Sequence, residues 1–98
     1  MTEEKLTEVR RVLEEVLRSR FPNTEFTSLR VRPDLDHYGD EILRVKAFYR
    51  GGDAELDDAD RAADVIIEMR HRLRAIGETA FPSLEYRNPE VDRWHVPS

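Results

Sequence analysis

The sequence contains no cysteine, which excludes disulfides, catalytic thiolates, zinc fingers and cysteine-ligated iron–sulfur clusters. It also lacks any apolar run close to the roughly 20 residues of a membrane span. The first residues are not followed by the apolar stretch of a signal peptide. We therefore expect a cytoplasmic protein with no membrane partner.

Catalytic motifs are absent as well. The chain has no Gly-x-Ser-x-Gly, no phosphate-binding glycine loop and no His-Glu-x-x-His. The best acid–base set that the sequence offers is His37 with Asp36 and Asp40, and adjacency in a turn assigns neither a nucleophile nor an orienting group. The sequence predicts no catalytic residue, no cofactor and no enzyme activity.

The charged residues that are present make up 38% of the 98 residues, with a net charge of −5. That length corresponds to one domain, which we assign to residues 1–98, with 89–98 as an irregular C-terminal tail. A net negative charge argues against a general nucleic-acid coat protein, although a local basic face can exist on an acidic chain. The distribution of charge therefore carries more information than its sum.

Periodicity predicts five elements. Apolar residues recur at helical spacing over residues 2–20, with Thr2 as N-cap, and again over 57–76, with Gly77 following the helix. Alternation of apolar and polar residues predicts strands on either side of an acidic loop at 33–41, and a short third strand at 83–87. The clearest strand is residues 43–50, where every second side chain is apolar from Leu43 to Ala47.

This order, α-β-β-α-β, predicts an α+β fold: a two-layer α/β sandwich with both helices on one face of a three-stranded mixed sheet. A right-handed crossover would make the third strand parallel to the second. The order is similar to the smallest KH-type RNA-binding domains and to the C-terminal domain of iron–sulfur scaffold proteins. The Gly-x-x-Gly loop of the first and the Cys-x-x-Cys pair of the second are missing, so no family is recognised.

Pairing the first two strands collects basic residues on the outer side of the sheet, with Phe48 among them. The set comprises Arg30, Arg32, Arg44, Lys46 and Arg50. Such a face could bind phosphates and stack a base, as nucleic-acid platforms do. It could equally be a solvated sheet face, or it could bind an acidic partner or a second copy of the chain.

The acidic loop is a weak metal candidate through Asp34, Asp36, Asp40 and Glu41. Compared with an EF-hand loop, it matches at Asp34, Asp36 and Gly39, but Tyr38 and Val45 replace two ligands. An ion bound there would be weakly held Ca²⁺ or Mg²⁺. The alternative is that these residues form a turn.

Two apolar residues, Ile42 and Phe48, are expected on the outer side and partly exposed, and the tail carries the only tryptophan, Trp94. Exposed apolar groups near an unpaired edge strand favour an interface. The leading hypothesis is a non-catalytic binding or accessory module that acts through protein–protein interaction, as a homodimer or with another protein. The alternatives are RNA binding through the basic face and a metal-dependent enzyme at the acidic loop.

Overall fold

The computed structural model describes residues 1–89. Its elements are α1 (Glu3–Arg20), β1 (Glu25–Leu35), β2 (Glu41–Arg50), α2 (Asp53–Leu56), α3 (Ala59–Ala75) and β3 (Phe81–Arg87). The sheet order is β1-β2-β3, with β1 and β2 antiparallel and β2 and β3 parallel. The three-stranded mixed sheet and the α+β class predicted from the sequence are confirmed.

The first helix begins where the sequence indicates. The side chain of Thr2 accepts a hydrogen bond from the backbone N–H of Lys5 at 3.1 Å, and so satisfies one of the donors that a helix leaves free at its start. Glu3 and Glu4 occupy the first turn, and Arg18 and Arg20 the last. Each pair lies at the helix end whose partial charge it complements.

The second predicted helix corresponds to α3, and a short helix that was not predicted, α2, precedes it. A short helix, α2, is followed by a break, and α3 then starts after Asp58, whose carboxylate accepts from Asp60 N and Arg61 N. The prediction of a helix over 57–76 is thus confirmed to within two residues at its start and one at its end, whereas α2 was not predicted. Gly77 adopts a φ of +83°, as expected of the residue that ends a helix.

The hairpin is longer than predicted. Strand β1 runs through Pro33 to Leu35, so only residues 36–40 form the loop. Proline is tolerated there because β1 is at the edge of the sheet, where a missing N–H breaks no ladder. A register shift between Phe26 and Ser28 marks a bulge near the start of the strand.

One apolar core lies between the helices and the inner side of the sheet. Its fully buried side chains include Val9, Leu13 and Leu17 from α1, Leu43 and Ala47 from β2, and Met69 from α3. The predicted inward residues of β3, Leu84 and Tyr86, are partly buried and pack against this cluster. None of the helices within residues 1–89 is long and apolar enough to cross a lipid bilayer.

Candidate functional site: a basic groove on the outer sheet face

The outer face of the sheet is the side that the helices leave uncovered. Strand alternation and the observed register place fourteen residues on it. They are Glu25, Ser28, Arg30, Arg32, Asp34, Ile42, Arg44, Lys46, Phe48, Arg50, Phe81, Ser83, Glu85 and Arg87.

The charges on this face are opposite in sign to that of the whole chain. Six of the fourteen residues are arginine or lysine and three are carboxylates, a surplus of three positive charges, while the chain as a whole carries −5. The rest of the molecule therefore carries a surplus of eight negative charges. This segregation makes the outer face the most distinctive electrostatic feature of the protein.

All five basic residues predicted from the sequence lie on this face. Arg30 is the register partner of Lys46, and Arg32 is the register partner of Arg44. Arg50 lies at the far end, opposite Glu25. Directly opposed residues have Cβ atoms about 5 Å apart, so the first four cations form a compact square.

A groove of about 620 Å³ runs over this square. Its walls come from residues 29–32 of β1, residues 44–46 of β2, Ser83 and Glu85 of β3, and Arg10 of α1. The groove therefore continues from the outer face around the edge of β1 to the helix layer. Its volume falls within the range of sites that bind small molecules or short segments of chain.

Asp34 neutralises part of the square. Its carboxylate accepts a hydrogen bond from Arg44 and lies 3.4 Å from Arg32, and it also accepts from Leu35 N at 2.8 Å. The hydrogen bond from Arg44 is the main reason that the pKa of Asp34 is lowered from its ordinary value, followed by the bond from Leu35. A residue predicted as a metal ligand is therefore the counter-ion of two arginines.

Arg30 and Lys46, in contrast, form no ion pair with any residue in 1–89. The guanidinium of Arg30 lies over the ring of Phe48, 5.4 Å from its centroid. One face of the Phe48 ring is thus already covered by a cation. The other aromatic residue of the outer face, Phe81, has the guanidinium of Arg70 over its ring, 5.3 Å from the centroid. Two neighbouring cations remain available to an anionic ligand.

Arg10 is a residue of the groove that sequence reasoning missed. Its Nε is enclosed and has no hydrogen-bond partner within the described chain. A buried donor of a charged group that is left unpaired costs on the order of 1–3 kcal/mol or more. The available signal was its position on α1, one residue after buried Val9 and at the margin of the apolar stripe.

The acidic loop does not gather its carboxylates around a common point. The side chain of Asp36 accepts hydrogen bonds from Tyr38 N and Asp40 N, both at 2.9 Å, and Gly39 has a φ of +86°. These are the features of a turn stabilised by an aspartate. Within residues 1–89 no three potential ligands are placed to hold a metal ion, so Asp34, Asp36, Asp40 and Glu41 are not brought together.

Glu55 of α2 anchors a second polar cluster that the sequence did not reveal. It accepts from Asn23 N at 3.1 Å and Thr24 Oγ1 at 3.0 Å, and lies 3.3 Å from Arg61. Partial burial raises the pKa of Glu55, but the hydrogen bonds from Asn23 and Thr24 together with Arg61 outweigh it, and the net shift is downward. The cluster joins the end of α1 to α2 and is structural.

The two apolar residues expected to be partly exposed on the outer face, Ile42 and Phe48, differ in their exposure. Ile42 was predicted to be partly exposed, and this is wrong: it is 9% exposed, because it lies on the central strand between Asp34 and Phe81. Phe48 is half-buried. Trp94, the other proposed interface residue, lies outside the described residues.

The fold and the groove define a small α+β domain with an open, basic sheet face. Comparison with protein-family models, with curated proteins and with solved structures finds no match for this chain.

Proposed function

We infer that this protein is a non-catalytic binding module that recognises an acidic segment of a partner protein through the outer sheet face. The observation that carries this proposal is the surplus of three positive charges on one face of a chain with net charge −5. Complementary potentials direct partner choice and accelerate encounter. A negative partner would be attracted by this face and repelled by the remaining surface.

Charge also favours a different protein over a second copy at this face. In a two-fold dimer packed outer face to outer face, the basic patch of one copy, with Arg30, Arg44 and Lys46, would lie against the same patch of the other copy. Like charges brought together at an interface cost several kcal/mol. The homodimer predicted from the sequence would thus need another surface, whereas an acidic partner fits this one.

A protein partner is favoured over RNA for two reasons. Sheet platforms that bind single strands stack bases on exposed aromatic rings. Here Phe48 is half-buried beneath Arg30, and the more exposed ring of Phe81 has Arg70 over it. Asp34 and Glu85 also lie on the face and interrupt the row of cations, whereas single strands are bound along a positively charged groove that follows the phosphate backbone. RNA binding is the main competing outcome of the test.

The test is a fluorescence anisotropy titration with two labelled probes of equal length. One is a decapeptide with four central glutamates flanked by threonine and valine, and the other is a single-stranded RNA decamer. The double variant Arg30→Gln/Lys46→Gln should weaken peptide binding roughly tenfold or more, because it removes both unpaired cations. The control Arg18→Gln/Arg74→Gln makes the same change in net charge on exposed helix positions and should have little effect.

The outcomes separate the alternatives. Tighter binding of RNA, lost in Arg30→Gln/Lys46→Gln and steeply dependent on salt, would establish the nucleic-acid alternative. Equal losses in the test and control variants would show that only net charge matters and would overturn the proposal. So would failure of the peptide to bind at low salt.

A further inference from the structure

We propose that the acidic segment binds in extended form along the open edge of β1, as an added fourth strand, with Arg10 as its charged anchor. This inference rests on the proposed function and specifies how the partner is held.

The first observation is the edge itself. Strand β1 is eleven residues long and lies at the end of the sheet order, with no strand of residues 1–89 on its outer side. In an antiparallel pair, alternate residues of an edge strand direct their N–H and C=O groups away from the partner strand. Such a row of groups is a template for an added strand, a common mode of peptide recognition.

The second observation is that the groove, which crosses the outer face from β3, reaches this edge. Four consecutive residues of β1, 29–32, line it. Leu29 and Val31 lie on the inner side and are only 7% exposed, whereas Arg30 and Arg32 lie on the outer side. An added strand would therefore direct alternate side chains toward the outer face and toward the helix layer.

The third observation is Arg10, which limits the groove on the helix side. Its enclosed Nε has no partner in the described chain, so a carboxylate of the added strand could satisfy it. Carboxylates on the opposite side of the same strand would meet Arg30 and Arg32. Cations on both sides of one extended segment favour an acidic sequence in strand conformation over a compact acidic surface.

A second copy of β1 fits less well. Two β1 strands paired about a two-fold axis near their centre would place Arg30 opposite its own copy or opposite Arg32 of the other copy, and both Arg10 residues on the same side of the sheet. Like charges directly opposed across strands are destabilising. The charges thus favour an acidic strand from another protein.

The experiment extends the titration with the glutamate decapeptide. Arg10→Gln should weaken binding about tenfold, because the guanidinium is the anchor, whereas Arg11→Gln, its exposed neighbour, should weaken it less than twofold. Two further peptides carry N-methyl groups on alternate residues. In one peptide the odd-numbered residues are methylated and in the other the even-numbered ones, so that each loses the N–H groups along one edge of the extended strand. One of them should lose binding, since its N–H groups face β1, and the other should retain it.

Amide hydrogen exchange gives an independent reading. Addition of the decapeptide should slow exchange at the outward amides within residues 29–32 and leave α3 unchanged. Equal binding of both N-methylated peptides, together with equal effects of Arg10→Gln and Arg11→Gln, would overturn strand addition. If Arg30→Gln/Lys46→Gln still weakened decapeptide binding in that case, the proposed function would stand.

Self-association is the remaining outcome. A chain that is dimeric by light scattering at the titration concentration, with slow exchange at residues 29–32 before peptide is added, would show that a second copy occupies the edge. That result would overturn this inference directly. Failure of every acidic peptide to bind would instead overturn the proposed function, on which this inference rests.

Discussion

The two faces of the sheet are built from the same three strands and differ in what their side chains contact. On the inner face, Leu43, Val45 and Ala47 are at most 1% exposed and pack against the helices. On the outer face, Arg30 and Lys46 form no ion pair with any residue in 1–89. The core determines the inner residues, whereas folding alone does not require the basic ones.

This difference gives a rule for choosing among polar groups as candidate sites. Asp36 was a candidate ligand in the sequence and Glu55 is a partly buried carboxylate, but backbone and side-chain donors of the chain already satisfy both. Arg10, Arg30 and Lys46, in contrast, form no ion pair with any residue in 1–89. A group whose interactions are complete explains the fold, and one whose interactions are incomplete indicates a ligand.

The largest expected effect separates the two faces by stability. Leu43→Ala should lower the free energy of unfolding by about 2–5 kcal/mol, because it leaves a cavity in the core. Lys46→Ala, three positions later on the outer face, should change it by about 0.5 kcal/mol or less. Urea denaturation measures both. A comparable loss of unfolding free energy in the two variants would mean that the outer face is packed like the inner one.

The next effect concerns the loop that joins β1 to β2. Asp36→Ala should cost about 1 kcal/mol, because Tyr38 N and Asp40 N lose their shared acceptor. Asp36→Asn retains an oxygen in that place and should cost less. The measurement is urea denaturation with and without Ca²⁺. Calcium-dependent stabilisation of the unmodified chain that disappears in Asp36→Asn would restore the metal site and contradict the structural role.

A smaller effect tests whether the ring of Phe48 is engaged. A double-mutant cycle with Arg30→Gln and Phe48→Leu should show a coupling of about 0.5–1 kcal/mol, since a guanidinium lies over the ring. The matched cycle with Arg32→Gln and Phe48→Leu should show a coupling near zero. No coupling in the first cycle would mean that the ring is free to stack on a base, which would strengthen the RNA alternative.

The sequence predicted the fold well because periodicity is a property of each element by itself. Alternation along residues 43–50 indicated which side chains enter the core, and the two amphipathic helices then had only one side of the sheet to cover. The short helix α2 was missed because the contact of its Glu55 with Asn23 and Thr24 joins segments 31 or 32 residues apart. No local pattern records such a contact.

The candidate site was predicted in part for the same reason. The five basic residues follow from pairing two strands. Arg10 does not, because it enters the groove from α1, and that depends on how the helix lies against the edge of β1. The burial of Ile42 likewise depends on its neighbours across the strands. Residues that the helix layer contributes to the site cannot be predicted from the alternation of side chains along the strands.

The smallest expected effect is the pH dependence of Asp34, the counter-ion of the outer face. Its pKa is lowered chiefly by the hydrogen bond from Arg44, so the unfolded chain binds this proton more readily than the folded one. The stabilisation from Asp34 is therefore complete above the unfolded pKa of about 4 and is lost as the pH falls through the lower, folded value. The difference in unfolding free energy between the unmodified chain and Asp34→Asn, followed from pH 7 to pH 2, should shrink over that range.

Arg44→Gln provides the control, since it removes the principal cause of the lowered pKa and should flatten the pH dependence of that difference. A difference that stays constant down to pH 2 would mean that Asp34 and Arg44 do not interact in solution. The outer face would then present Arg44 as a third free cation beside Arg30 and Lys46. In that case Arg44→Gln should weaken peptide binding by as much as Arg30→Gln alone or Lys46→Gln alone.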